Sequence, residues 1–196
     1  MTSKLSIQHG WLSNARRVTS PFFNSRPSKQ VEHTSQAEVS LLVIHNISLP
    51  PNQFGSDDVE RLFTGTIDAS KHPFFETIKQ LQVSAHLFIR RDGELVQFVP
   101  FCERAWHAGV SSFQGHTGCN DFSIGIELEG TDDLPFTDAQ YEQLTDVTKS
   151  IQFHYPAISL GRIVGHNDIA PGRKTDPGLF FDWPRFRLGI RTGNQK

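Results

Sequence analysis

Residues 39–45 (VSLLVIH) form an unbroken apolar run that ends on a histidine. That is the pattern of a strand buried on both faces, and Pro50 and Pro51 close the stretch that follows it. Residues 123–129 (SIGIELE) alternate instead, with Ile124, Ile126 and Leu128 on one side and Ser123, Gly125, Glu127 and Glu129 on the other. Two β-rich runs, 84–91 (SAHLFIRR) and 94–99 (ELVQFV), flank Asp92-Gly93, a dipeptide that favours a hairpin turn. Residues 162–166 (RIVGH) give one more short strand, again ending on a histidine.

Helical signals fall between these runs. Residues 57–63 follow Ser56, carry acids in the first turn and stop before Gly65. In HPFFETIKQL, Pro73 suits a first helical position and Phe74, Ile78 and Leu81 share a face. Thr137 and Gln140 have the spacing of a capping box. They predict a helix over about 138–154, with Tyr141, Leu144, Val147 or Thr148, and Ile151 on its apolar stripe. Residues 20–38 read as an irregular polar arm. The chain beyond His166, punctuated by Pro171, Pro177 and Pro184, reads as loop. The expected class is α/β: a central mixed β-sheet flanked by helices.

Composition narrows the function classes. A 196-residue chain can bury about 70 % of its unfolded surface, which predicts a single domain over 1–196. A net charge of −2 argues against a nucleic-acid partner, which calls for a basic excess. No apolar run approaches the length of a membrane span, and the first residues lack the apolar core of a signal peptide. With two cysteines only, a disulfide scaffold is not expected, so a reducing, cytoplasmic setting is, and small size with near-neutral charge leads to the expectation of a monomer. Nine histidines are the richest source of chemistry.

His45 and His166 end their strands, and the loop after His166 carries Asp168 and Asp176. Two histidines and one carboxylate form a catalytic Zn2+ set that leaves a fourth position for water. One carboxylate leaves such an ion a net charge of about +1, enough to acidify water and polarise a carbonyl. Lys174, two residues before Asp176, shares its side in an extended chain and sets an ammonium where an oxyanion would develop. The plain alternative is two satisfied strand-end histidines and an Asp176 that caps the turn before Pro177.

Glu127 lies on a face that Gly125 leaves open, as a general base near the water would. The alternative is Glu127 and Glu129 both standing in water. Trp106 and Asn46 are the candidate substrate contacts, against roles as core and turn residues. His107, in a glycine-containing loop, is a cleft residue that joins them. His86 reads as a core group or one standing behind the ligands. His9, His33, His72, His116 and His154 read as surface or cap positions.

LLVIHNISLPP, FTGTID, HPFF, SAHLFIRRDGELVQFVPF, RAWHAGVS, CNDFSIGIELEGTD, TDAQY and GHNDIAPGRKTDPG together resemble the type 2 N-acetylmuramoyl-L-alanine amidases. Within that superfamily, which includes the peptidoglycan recognition proteins, they are most similar to the cytoplasmic 1,6-anhydro-muramyl amidases of peptidoglycan recycling. The resemblance covers about residues 10–187, with a short arm before and a tail after. It implies the superfamily's mixed sheet, zinc held by His45, His166 and Asp176, and Glu127 with Lys174 as the catalytic pair. The implied reaction cleaves the amide between the lactyl group of an anhydro-muropeptide and L-alanine. Gln82 and Gly118 depart from the pattern, standing where relatives carry arginines near the substrate carboxylates.

Two other readings compete. A cysteine hydrolase would use Cys119, but its loop supplies no source of thiolate activation. A cell-wall-binding module without catalysis would usually lack the third metal ligand.

Overall fold

The apolar run at 39–45 supplies most of a central strand, Leu41–Ile47, of a six-stranded mixed sheet. The computed structural model describes residues 5–27 and 38–192. Its sheet strands are β1 (Arg16–Arg17), β2 (Leu41–Ile47), β3 (Leu87–Ile89), β4 (Leu95–Gln97), β5 (Ser123–Glu129) and β6 (Ile163–Gly165). Their spatial order is β6-β2-β5-β3-β4-β1. β6, β2, β5 and β3 run parallel, β3 pairs antiparallel with β4, and β1 runs parallel to β4.

Parallel central strands are covered on both faces, which is why β2 is apolar without alternation. On one face Leu42 and Ile44 of β2 and Ile124, Ile126 and Leu128 of β5 meet α3 (Asp138–His154). Tyr141, Leu144, Val147 and Ile151 form that helix's stripe, and Thr148 is buried beside them. The capping box at its start is formed: Gln140 N–H donates to Thr137 Oγ1 (3.1 Å) and Thr137 N–H to Gln140 Oε1 (3.0 Å). On the opposite face Leu41 and Val43 pack with Ala108, Val164 and Ile169. There too the β3–β4 hairpin carries Phe88, Val96 and Phe98 against α1 (Asp58–Phe63) and α2 (Pro73–Ile78).

Several expectations are corrected. The sheet segments of the hairpin arms are shorter than 84–91 and 94–99. Asp92-Gly93 lies in a three-residue loop, closed by Arg90 N–H to Glu94 O (3.0 Å) and by Gly93 at φ +91°. His166 does not end a strand; it opens a short helical turn, α4 (His166–Ile169). In α2 the inward face is Phe75 and Ile78, while Phe74 and Leu81 are exposed. The tail is not loop to its end. α5 (Trp183–Thr192) buries Phe186 and Ile190 against α3, with Asp182 Oδ1 accepting from Arg185 N–H at its start. Pro184 fits because it sits in the first helical turn, where backbone N–H groups have no intrahelical partner. Nor is the arm wholly irregular, since Phe23–Asn24 pair with Arg104–Ala105. Residues 28–37, His33 among them, lie outside the described residues.

Candidate metal and catalytic site

Three neighbouring parallel strands, β6, β2 and β5, end at one edge of the sheet. That is where open α/β sheets place their ligand sites. His45 lies near the end of β2, with Glu127 as its register partner on β5. Gly165 pairs with Ile44, so the next residue, His166, emerges beside His45. Asp176 returns to the same point on the loop after α4, where its carbonyl accepts from Asn167 N–H (3.0 Å). Asp168 is used differently: its Oδ2 accepts from Gly165 N–H (2.8 Å), so it caps α4.

His45 Nδ1, His166 Nδ1 and Asp176 Oδ2 form a triangle with every side 3.0 Å. Neighbouring ligand atoms around a tetrahedral zinc with bonds of 2.0–2.1 Å stand about 3.3 Å apart, so the triangle matches one face of that tetrahedron. The other ring nitrogen of His166 fixes its tautomer. His166 Nε2 faces the Ala108 carbonyl at 3.1 Å, which requires N–H there and leaves the Nδ1 lone pair pointing into the triangle. Burial pushes His45 down to about 4, so its imidazole is neutral at neutral pH. With Nδ1 of His45 turned to the same point as Nδ1 of His166 and Oδ2 of Asp176, the three atoms have the donor types and spacing that suit a divalent cation.

Glu127 is buried, 8 % exposed, and its Oε2 has no hydrogen-bond partner among the described residues. Burial holds its carboxyl well above the usual range and the nearby Asp176 adds to this, while Lys174 opposes it. Neither acid of β5 stands in water: Glu129, 3 % exposed, accepts from Arg91 N–H (2.9 Å) and Gly55 N–H. The face at Gly125 is not open either, since the His107 ring lies directly over it and a Cβ there would collide with the ring.

A cleft of about 660 Å³ gathers Asn46, Trp106, His107, Glu127, His166, Lys174 and Asp176. Phe74, Leu81 and Val83 give it an apolar wall, and Thr131, Asp132 and Arg173 a polar one. Asn46 Nδ2 donates to Asp132 Oδ1 (2.7 Å), leaving its own Oδ1 as an acceptor. Trp106 stacks on Phe22 at 6.4 Å and donates from Nε1 to Asn24 Oδ1 (2.7 Å). Gln82 is exposed between two cleft residues, Leu81 and Val83, and Gly118 adopts a left-handed φ of +69°. Cys119 is fully buried, and burial pushes its thiol up, away from the thiolate a nucleophile needs.

Some organising residues were not legible in the sequence. Asn120 Oδ1 accepts from both His107 N–H (3.1 Å) and Ala108 N–H (2.8 Å), and Arg173 donates to the Ala108 and Val110 carbonyls. Asp132 orients Asn46. Each acts on a residue distant in the chain, so no local pattern marks it.

His86 stands behind the site. Its Nδ1 accepts from Gly125 N–H (3.0 Å), so Nε2 carries the proton and donates to Glu103 O (3.1 Å). Burial pushes it down to about 3, and the buried Arg26 guanidinium contributes. The unfolded imidazole titrates near 6.5, so the stability gained by keeping His86 neutral is complete above that pH. It is lost as pH falls toward 3, at about 1.4 kcal/mol per pH unit. The urea midpoint of the metal-free protein is therefore expected to drop between pH 6.5 and 4. His86→Asn, which retains an acceptor for Gly125, should flatten that dependence by about one proton; an unchanged slope would refute the assignment.

Among the described residues no helix is long and apolar enough to cross a membrane. The family model for N-acetylmuramoyl-L-alanine amidases matches residues 35–179. The chain is 58 % identical over 187 residues to the 1,6-anhydro-N-acetylmuramyl-L-alanine amidase AmpD of Salmonella typhimurium strain SL1344, covering 95 % of this chain and 96 % of that protein. A crystal structure of AmpD, 58 % identical, superposes with a TM-score of 0.88 over 94 % of this chain and 98 % of that one. The Escherichia coli amidase AmiD, solved with anhydro-N-acetylmuramic acid-L-Ala-D-gamma-Glu-L-Lys, is 28 % identical with a TM-score of 0.59, covering 95 % of this chain and 65 % of that one.

Proposed function

The chain belongs to the N-acetylmuramoyl-L-alanine amidase family, and on that premise we propose a zinc-dependent reaction on anhydro-muropeptides. The bond cut joins the lactyl carbonyl of 1,6-anhydro-N-acetylmuramic acid to the L-alanine nitrogen of the stem peptide. The observation that carries the reading is the 3.0 Å triangle of His45, His166 and Asp176, two corners of which, His166 and Asp176, line one cleft with Glu127, whose Oε2 is unpartnered. His45, His166 and Asp176 would hold Zn2+. Bound there, the ion supplies a Lewis acid for the carbonyl and lowers the pKa of water.

Glu127 takes a proton from the attacking water at Oε2 and passes it to the departing L-alanine nitrogen, so the amide C–N bond breaks as the carboxylic acid and free amine form. A carboxyl whose proton affinity is raised by burial suits both halves of that transfer. Lys174 presents an ammonium from the rim of the cleft to the oxyanion. Trp106 with the apolar wall of Phe74 and Leu81 would receive the sugar ring, and Asn46 Oδ1 would accept from a substrate N–H.

The recycling role that the sequence resemblance implies would place the chain in the cytoplasm, as a monomer acting on muropeptides returned from the wall. Both cysteines are free, as a reducing compartment keeps them.

The test is incubation with 1,6-anhydro-muramyl-tripeptide, with and without a chelator, read by mass spectrometry. Intact tripeptide and anhydro-muramic acid are expected, with the reaction abolished by chelator and restored by Zn2+. Turnover that survives complete metal removal would overturn the zinc reading. Tight muropeptide binding without cleavage by the zinc-loaded protein would point to a binding module instead.

A further inference from the structure

We propose that His107 is a positioning residue for the ligand His45 and not a substrate contact. The inference rests on the metal reading and deepens it. Both nitrogens of the His107 ring are engaged inside the protein: Nδ1 faces His45 Nε2 at 2.9 Å and Nε2 faces Ser123 Oγ at 3.1 Å. No polar atom of the ring remains for a ligand in the cleft.

The proton order along this chain is forced from one end. His45 Nδ1 turns toward His166 and Asp176, and as a metal ligand it must offer a bare lone pair there. Its proton then sits on Nε2 and is donated to His107 Nδ1. His107, accepting at Nδ1, carries its own proton on Nε2 and donates it to Ser123 Oγ. His45 thus has a neutral imidazole where metal-bound histidines commonly have a carboxylate or carbonyl. His166 keeps the carbonyl kind, donating to Ala108 O.

The surroundings hold the His107 ring in this role. Its backbone N–H and that of Ala108 are gripped by Asn120 Oδ1. Trp106 N–H is held by Ser84 Oγ (3.1 Å). The ring then occupies the space above Gly125, where any side chain would displace it. Gly125 is therefore a glycine because the outer partner of a ligand lies on it.

The experiment compares the Zn2+ affinity of the parent, His107→Leu and His107→Asn in competition with a chelating dye, alongside KM and kcat. His107→Leu removes the acceptor and is expected to bind Zn2+ about 10- to 100-fold more weakly. In His107→Asn, Oδ1 stands where Nδ1 stood, and most of the affinity should return. Imidazole ¹⁵N shifts of the zinc-loaded parent should report His107 bare at Nδ1 and protonated at Nε2. Parental Zn2+ affinity in His107→Leu with only KM raised would overturn the proposal and make His107 a substrate contact. The opposite tautomer would overturn it even if the Leu variant does not fold. A parent chain that binds no Zn2+ would overturn the metal reading, and this inference with it.

Discussion

Glu127→Gln should lower kcat on 1,6-anhydro-muramyl-tripeptide by about 10³-fold, within the span that positioned proton transfer contributes, while Zn2+ content stays at the parental level. The amide is nearly isosteric with the carboxyl but cannot take up the proton of the attacking water. The same substitution should not weaken the fold. Glu127 is buried with an unpartnered oxygen, and its carboxyl lies well above the usual range. A carboxyl whose folded pKa is raised contributes stability below its unfolded value, and loses it as pH rises through the interval between the two. At neutral pH the metal-free parent carries that cost and the glutamine variant does not, so the variant's Tm should equal or exceed the parent's. Metal analysis, steady-state kinetics and a melting curve together check this. Parental turnover in Glu127→Gln would remove Glu127 from the reaction. A falling Tm would make its role structural.

His166→Ala should abolish turnover by emptying the triangle of one corner. Loss of a direct ligand is expected to exceed the 10- to 100-fold loss in affinity typical of an outer partner, so the desalted protein should retain essentially no Zn2+. The fold should survive, because the carbonyl that His166 Nε2 faces is also held by Arg173 Nη2 at 2.6 Å. The Ala108 carbonyl therefore stays paired when the imidazole is gone, and the loop over Gly125 keeps its anchor. The check is metal content after desalting, set beside the melting temperature of the metal-free parent and variant. Stoichiometric Zn2+ in His166→Ala would exclude it as a ligand.

Much of this site can be traced to local signals. An apolar run that stops on His45, a strand remnant before His166 and a capping box at Thr137 are each set by a few neighbouring residues. They suffice for a mixed sheet with helices on it. What escaped depends on partners far along the chain. Gly125 looks like open space in SIGIELE and is covered by a ring 18 positions earlier. Glu129 alternates like a solvent residue, yet it is buried because the hairpin at Arg91 and the loop at Gly55 turn their amides onto it. α5 was hidden by Pro184 and Gly189. The proline sits in the first turn, and the glycine lets the helix approach Thr145 of α3, whose Oγ1 a Cβ there would meet at 3.0 Å. For His107, residue type and loop position pointed into the cleft, and only the two hydrogen bonds of its ring reveal which way it works.

The parallel pairing of β2 with β5 and β6 makes the triangle a late product of synthesis. His45 is 121 residues from His166 and 131 from Asp176, so it waits for that much more chain to emerge from the ribosome. Parallel strands so far apart close long loops, the contacts that form slowly. No nascent chain that stops short of Asp176 can hold the ion in this way, whatever secondary structure it has already gained. Uptake of the metal would then mark chains whose three central strands have already closed, sparing a degradative activity from appearing on ones that have not.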